Sequence, residues 1–388
     1  MSMNDFLDRL KRGPILCDGA MGTQLHARGI SFEHCFDELN VSQPEVVLDI
    51  HRSYVEAGAE IIETNTFGAN RFRLIEHELE NQIVEINRSG VRLARKAADE
   101  SRRRIYVAGS IGPLGVRLAP LGRVSPSEAY EAFKEQMAAL TTAGVDALIC
   151  ETFSDLGEIV QAIKAARDVA PDVPVIAQLT FTEDGCTPLG DSADQVARRL
   201  IELGVDVIGA NCSVGPARLL PVIQTLAHHA QAADKAPLVS IQPNAGWPQR
   251  MGPRLIYPAT PEYFGDYARR FLAAGATIIG GCCGTTPAHI RAMRAVIDEA
   301  ELTRTTRIQV SVPRGGALAE AVVGEPIAPT QLAEKFASGK FVIAVEVDPP
   351  RGHNANRVIE AARELKHAGF DVVHIADTPM ARMRMSAW

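Results

Sequence analysis

The stretch SPSEAYEAFKEQMAALTTAGVDALICETF, residues 125–153, contains the signals of a helix followed directly by those of a buried strand. Ser125 is suited to cap the helix, Pro126 fits its first turn, and Gly144 is a residue that ends helices. The apolar run VDALICETF (145–153) then has the length and composition of a strand that is buried on both faces. A helix that leads through a glycine into such a strand is the repeating unit of a parallel α/β sheet.

This unit recurs along the chain. Eight apolar runs precede residue 290, and glycine stands just before several of them, as it does at helix C-caps that lead into a strand. The runs are 14–20, 59–67, 104–113, 145–153, 173–181, 205–213, 237–246 and 276–284. Eight βα units predict an α/β fold of the (β/α)8 TIM-barrel type, which we expect to occupy residues 1–300.

Length and composition limit the classes of protein that the chain can belong to. Its 388 residues exceed the usual size of one domain, so we expect one large domain and a smaller or partial one. The net charge of -7 and the lack of a clustered basic face argue against binding to nucleic acid or to an anionic membrane. No signal peptide or membrane-spanning run is evident, so we expect a cytoplasmic protein whose seven cysteines stay reduced.

Polar residues follow almost every apolar run, at the carboxyl end of the predicted strand. Barrel enzymes carry their chemistry at this end, so we expect these side chains to converge on one mouth, although each alone is typical of a strand-to-helix turn. The residues are Asp18, Gly19, Glu63, Thr64, Asn65, Thr66, Ser110, Gly112, Glu151, Thr152, Asn211, Cys212, Asn244, Gly281, Cys282 and Cys283. By contrast, His26, His51 and His289 fall in predicted helices, where we expect solvated or helix-end positions.

The thiols of Cys212, Cys282 and Cys283 predict a zinc site. Three thiolates leave the fourth position of tetrahedral zinc open, and a substrate thiol that enters it loses its proton. Adjacent cysteines can face one metal only where the backbone turns sharply, and Gly280, Gly281 and Gly284 give it that freedom. For the Cys282–Cys283 pair alone, a buried or fortuitous pair of neighbours is the alternative. No metal is assigned to Cys17, Cys35, Cys150 and Cys186.

Seven short motifs carry a resemblance to a known family. They are DGAMGTQL (18–25), ETNTFGAN (63–70), GSIGPLG (109–115), ICETF (149–153), GANCS (209–213), PNAG (243–246) and GGCCGTTPAHI (280–290). In this order they resemble the homocysteine S-methyltransferase domain, whose family includes betaine-homocysteine methyltransferase and the amino-terminal module of cobalamin-dependent methionine synthase. The resemblance implies a zinc-bearing (β/α)8 barrel that transfers a methyl group to the zinc-bound thiolate of homocysteine and forms methionine.

The resemblance also implies roles for single residues. It makes Cys212, Cys282 and Cys283 the zinc ligands, and Asn244 the candidate for the oxygen that fills the open position without substrate. The residues that it places around the amino and carboxylate groups of homocysteine are Asp18, Gly19, Thr64, Asn65, Ser110 and Glu151. An acid such as Glu151 or Asp18 can bind the substrate ammonium by a charge-assisted hydrogen bond.

The methyl donor is left open by the sequence. Betaine-dependent members have a tyrosine where this chain has Gly68, which argues against betaine. The candidates are S-methylmethionine or a related sulfonium, methylcobalamin, and 5-methyltetrahydrofolate. Two other functions also stay open, namely methyl transfer to another thiol or selenol, and a zinc-thiolate scaffold closed by a fourth protein ligand. The sequence is compatible with a homo-oligomer.

A second resemblance follows a change of composition. Residues 301–330 lose the barrel rhythm and become rich in small residues, which predicts a linker. Residues 341–379 read as strand, helix, strand and resemble the opening of methylenetetrahydrofolate reductase, a (β/α)8 barrel that uses FAD. The resemblance makes Glu346 the catalytic proton donor, whereas an edge acid of a short βαβ piece is the alternative.

The order of the two modules resembles bacterial bifunctional proteins that join the methyltransferase to the reductase. Only one βαβ unit of the second barrel is present before Trp388. We therefore expect residues 331–388 to be a partial second (β/α) barrel, without FAD or reductase activity of its own.

Overall fold

The computed structural model describes residues 5–251, 254–305, 335, 338–347 and 356–375. The chain divides into two compact units, residues 1–310 and 311–388, which are taken separately below. The predicted linker therefore lies largely outside the described residues.

The first unit contains an eight-stranded parallel sheet. The strands of this unit are β1 (Ile15–Leu16), β2 (Ile61–Glu63), β3 (Tyr106–Ile111), β4 (Ala147–Phe153), β5 (Val175–Leu179), β6 (Val207–Asn211), β7 (Leu238–Gln242), β8 (Gln249–Met251), β9 (Arg254–Ile256) and β10 (Ile278–Ile279). All except β8 and β9 belong to the sheet, in the order β1-β10-β7-β6-β5-β4-β3-β2. A parallel bridge between Cys17 and Ile61 joins the two ends of this order. The predicted TIM barrel is confirmed, and each predicted apolar run contains one of its strands.

Helices alternate with the barrel strands. They are α1 (Asp5–Arg12), α2 (Gly22–Ala27), α3 (Leu39–Ser42), α4 (Pro44–Ala57), α5 (Arg71–Leu74), α6 (Ile83–Asp99), α7 (Pro126–Ala143), α8 (Leu156–Val169), α9 (Ala193–Glu202), α10 (Pro216–Ala232), α11 (Pro261–Ala273) and α12 (Pro287–Thr305). The stretch 125–153 folds as its sequence predicts. Ser125 and Glu128 form a reciprocal capping box at the start of α7, and Gly144 ends the helix at φ +95°. The last helix continues to Thr305, past the predicted end of the barrel at residue 300.

Two apolar layers position the site. The outer layer lies between the strands and the helices, and the inner layer fills the barrel below its mouth. Helix α1 inserts Phe6 and Leu10 into the inner layer, where the Phe6 ring meets the edge of Tyr106 at 5.2 Å between centroids. This helix therefore covers the amino-terminal end of the barrel. Of the described helices, none has the length and the apolar character needed to cross a membrane.

The second unit contains the predicted strand, helix and strand. These are β11 (Ala344–Val347), α13 (Asn356–His367) and β12 (Val372–Ile375), and the two strands pair in parallel. Glu346 lies on β11 in register with His374. The assignment of this unit to a reductase, and of a proton-donor role to Glu346, stays a prediction.

Candidate metal and substrate site at the barrel mouth

Three cysteines converge at the carboxyl ends of β6 and β10. The Sγ atoms of Cys212, Cys282 and Cys283 all lie within 4.8 Å of one another, and those of Cys212 and Cys283 are 3.9 Å apart. Hydrogen bonding with Cys282 and Cys283 lowers the pKa of Cys212, and hydrogen bonding with Cys212 raises the pKa values of Cys282 and Cys283.

Tight backbone turns bring these sulfurs together. The amide of Cys282 donates to the carbonyl of Pro243 at 2.8 Å, and the amide of Ala245 donates to the carbonyl of Cys283 at 2.9 Å. Gly284 then takes a φ of +79°, which gives the sharp turn that adjacent cysteines need. On the other side, Cys212 has a φ of +61°, although it is not glycine. Such backbone costs about 1–3 kcal/mol per residue and is typical of functional sites.

Two of the predicted substrate acids lie beneath the mouth. Glu151 accepts a 2.5 Å hydrogen bond from the hydroxyl of Ser110 and a 3.2 Å hydrogen bond from Nδ2 of Asn211. Asp18 accepts a hydrogen bond from the backbone amide of Glu63 at 3.0 Å. Burial raises the pKa values of Glu151 and Asp18 well above their usual range, since a charged carboxylate loses its hydration there. A bound cation would restore their ionised forms.

The remaining predicted substrate residues support this arrangement. The hydroxyl of Thr64 accepts a hydrogen bond from the backbone amide of Ser110 at 3.0 Å. Nδ2 of Asn65 donates to the carbonyl of Phe36 at 2.7 Å, so this amide holds a loop of the mouth. Gly19 lies so close to Thr285 that an added Cβ would be 2.7 Å from its hydroxyl oxygen. These contacts tie neighbouring strand ends together.

Asn244 lies beside the cysteines. Its side chain is buried, and Oδ1 has no hydrogen-bond partner among the described residues. The side chain also helps, after Cys282 and Cys283, to lower the pKa of Cys212. A buried polar oxygen without a partner is costly, so a ligand at this position would relieve the cost.

One cavity joins the two acids to the three cysteines. Its volume is about 490 Å³, and its lining includes Asp18, Glu151 and the three cysteines as well as Phe67 and Arg73. This volume lies within the range of ~300–1,000 Å³ that is usual for small-molecule sites. Two larger cavities, of about 730 and 1110 Å³, lie at the amino ends of the strands and contain none of these acids or cysteines. The mouth cavity is therefore the candidate active site.

Two residues of the site had no assigned role in the sequence. Glu63 lies among Cys17, Asp18 and Gln242, and burial together with Asp18 raises its pKa to about 8. The ligand atoms of Cys17, Asp18 and Glu63 also lie within 4.8 Å of one another, although Cys17 was assigned no metal. Asn211 contacts both Glu151 and Cys282. The sequence signal that could have identified Glu63 and Asn211 as site residues is their position at the ends of β2 and β6.

Comparison with known proteins identifies the class. Residues 15–297 match the family model for homocysteine S-methyltransferase, and the chain belongs to that family. The resemblance predicted from the seven motifs is thereby confirmed.

Particular relatives follow from the same comparison. The chain is 36% identical over 307 residues to methionine synthase from Mycobacterium tuberculosis. The matched region covers 76% of this chain and 25% of that protein. Methionine synthase from Mycobacterium leprae is 34% identical over the same length and share of each chain. The chain thus spans about a quarter of the length of these curated relatives.

Solved structures give the same family. The metallated form of the homocysteine methyltransferase MmuM from Escherichia coli matches with a TM-score of 0.62 and 26% identity, over 76% of this chain and 99% of that one. Its apo form matches with a TM-score of 0.59 and 27% identity, over 76% and 100% of the two chains.

Proposed function

We propose that this chain transfers a methyl group to the sulfur of homocysteine and forms methionine. The observation that carries the proposal is a cavity in which three cysteine sulfurs lie within 4.8 Å of one another and share the lining with Asp18 and Glu151. Its relatives named as methionine synthase and homocysteine methyltransferase support the same reaction.

The cysteine cluster fits zinc. Thiolates about 2.3 Å from tetrahedral zinc lie about 3.8 Å from one another. The distance of 3.9 Å between Cys212 and Cys283 agrees with this spacing. Cys212, Cys282 and Cys283 would hold the ion, and the unpartnered Oδ1 of Asn244 is the candidate for the fourth position without substrate. Zinc bound there would lower the pKa of an entering thiol and keep its sulfur nucleophilic at neutral pH.

The acids of the cavity would orient the substrate. Asp18 and Glu151 are buried carboxyl groups with raised pKa values, and an ammonium group provides the positive charge that favours their ionised forms. The hydroxyl of Ser110 fixes one oxygen of Glu151 at 2.5 Å. Held by its ammonium at these acids and by its sulfur at the cysteines, homocysteine would present its sulfur in line with a methyl group.

The structure of the mouth supports a donor other than betaine. An added Cβ at Gly68 would lie 2.8 Å from Oδ2 of Asp37, so a tyrosine at position 68 would require Asp37 to shift. Asp37 is itself fixed, because it accepts a 2.9 Å hydrogen bond from the amide of Gly68. S-methylmethionine, methylcobalamin and 5-methyltetrahydrofolate remain the proposed donors.

A donor screen tests the proposal. Methionine formed from homocysteine would be measured with each donor for the wild type and for Cys283→Ser, with Cys186→Ser as the matched control outside the cluster. We expect one donor to support turnover in the wild type and the control, and the Cys283 variant to lose zinc and activity together. Full zinc content and activity in Cys283→Ser would contradict the ligand assignment.

Two further measurements separate the alternatives. X-ray absorption at the zinc edge should show a fourth sulfur upon addition of homocysteine, whereas a scaffold closed by protein ligands would show no change. Turnover with selenohomocysteine and other thiols, compared with homocysteine, would identify the preferred acceptor.

A further inference from the structure

Asn211, the last residue of β6, is fully buried at the site. Its Oδ1 accepts a hydrogen bond from the backbone N–H of Thr152 at 2.7 Å. Because a backbone N–H can only donate, this contact fixes the orientation of the amide. Nδ2 then lies 2.8 Å from Oγ1 of Thr152, 3.2 Å from Oε2 of Glu151 and 3.9 Å from Sγ of Cys282. One amide group therefore contacts both the proposed ammonium-binding acid and a proposed zinc ligand.

Nδ2 has two hydrogens for these three acceptors. The hydroxyl of Thr152, at the shortest distance, takes one of them. The carboxylate of Glu151 and the sulfur of Cys282 must share the other. A substrate ammonium that donates to Glu151 changes how strongly this carboxyl group accepts a hydrogen bond. Its binding therefore changes the share of the second hydrogen that the sulfur of Cys282 receives.

We infer that Asn211 is a positioning residue, an inference that rests on the proposed function. Asn211 couples recognition of the substrate ammonium at Glu151 to the electron density on the sulfur of Cys282. An N–H donor withdraws electron density from a metal-bound thiolate and so strengthens the pull of the metal on its other ligands. Replacing a group that donates a hydrogen bond to a metal ligand changes metal affinity or activity by about 10–100-fold.

Backbone strain on both sides of this amide supports a functional constraint. Thr152, which Asn211 contacts through two hydrogen bonds, has a φ of +62°, and Cys212, the next residue along the chain, has a φ of +61°. Each of these conformations costs about 1–3 kcal/mol for a residue other than glycine. The two hydrogen bonds offset part of this cost at Thr152.

Two substitutions of Asn211 distinguish donation from structural support. Asn211→Asp keeps the oxygen that accepts from the Thr152 amide but replaces the donor by an acceptor. Asn211→Ala removes both contacts. If Asn211 serves only to support Thr152, the aspartate variant should behave like the wild type and the alanine variant should not. If Asn211 acts as a donor, both variants should be impaired.

The first measurement is the absorption spectrum of cobalt(II)-substituted protein without substrate. Loss of the N–H donor makes the thiolate a stronger electron donor, so the sulfur-to-cobalt charge-transfer band should move to lower energy in both variants. Glu151→Met removes the competing acceptor, so the band should move to higher energy. An unchanged band in all three variants would overturn the inference. Because the aspartate and methionine variants predict opposite shifts, either one alone suffices if the other does not fold.

The second measurement is the affinity of zinc-loaded protein for homocysteine. We expect a higher dissociation constant for Asn211→Asp, together with a loss of activity of about 10–100-fold. Asn87→Asp is the matched control, since Nδ2 of Asn87 is also buried but donates to the carbonyls of Ala69 and Ile83. This control should lose stability without a change in affinity. Wild-type affinity in Asn211→Asp would refute the coupling. A wild type that binds no homocysteine would instead refute the proposed function, while the cobalt spectrum still tests the sulfur contact.

Discussion

His51 should make the stability of this protein decline in mild acid. It lies on α4, fully buried, and neither ring nitrogen has a hydrogen-bond partner among the described residues. Burial lowers its pKa from 6.5 to about 4, because a charged imidazolium would lose its hydration there. The sequence indicated a solvated or helix-end position for this histidine, and that expectation is wrong.

The size and the sign of the effect follow from the two pKa values. The unfolded chain takes up a proton at His51 below pH 6.5, whereas the folded chain does so only below about pH 4. The unfolded state thus binds more protons in this interval, and the free energy of unfolding falls as the pH falls. The difference between a pKa of 6.5 and a pKa of about 4 corresponds to about 3 kcal/mol of unfolding free energy. This stabilisation is present in full above pH 6.5 and is lost by pH 4.

Urea denaturation of the wild type and of His51→Leu at pH 7, 6, 5 and 4 measures this effect. Other acid-sensitive groups act equally in both proteins, so the difference between their unfolding free energies isolates His51. The variant should gain about 3 kcal/mol relative to the wild type between pH 7 and pH 4. His228→Leu, which replaces an exposed histidine, should show no such gain. A difference between wild type and His51→Leu that does not vary with pH would refute the reasoning.

Three other predictions concern the site and the barrel. Glu63 has its pKa raised to about 8, so the free energy of unfolding falls as the pH rises from 4.5 to 8. In denaturation experiments, the stability of Glu63→Gln relative to the wild type should therefore be greater at pH 8 than at pH 5. Gly68→Tyr should collide with Asp37, cost about 1–3 kcal/mol of stability and fail to gain turnover with betaine. Ser125→Ala removes the capping box of α7 and should cost about 1 kcal/mol in thermal denaturation, with turnover per folded molecule unchanged.

The barrel was predictable because its signals are local. The capping residues, the C-cap glycines and the apolar runs each depend on a few neighbouring residues, as in the stretch 125–153. The three cysteines were predictable for a related reason, since the carboxyl ends of all parallel strands in a barrel meet at one mouth.

The contacts of Asn211 and Glu63 could not be predicted in this way. Both residues end a strand, but which side chain turns inward depends on register and on the local backbone. At Thr152 and Cys212 the backbone takes positive φ values that the residue type does not favour. The burial of His51 likewise depends on how α4 packs against its neighbours. Such features depend on tertiary packing, which no short segment of sequence specifies.

The covering of the barrel by α1 has a kinetic consequence. Because Phe6 and Leu10 pack into the inner apolar layer at the amino-terminal end, we expect ligands to enter the cavity from the carboxyl ends of the strands. If homocysteine binds at Asp18 and the cysteines, as proposed, the methyl donor has to enter the same cavity beside it. Binding would then follow a compulsory order, with the acceptor before the donor, and the spent donor would depart before methionine. High concentrations of donor should accordingly slow the release of product.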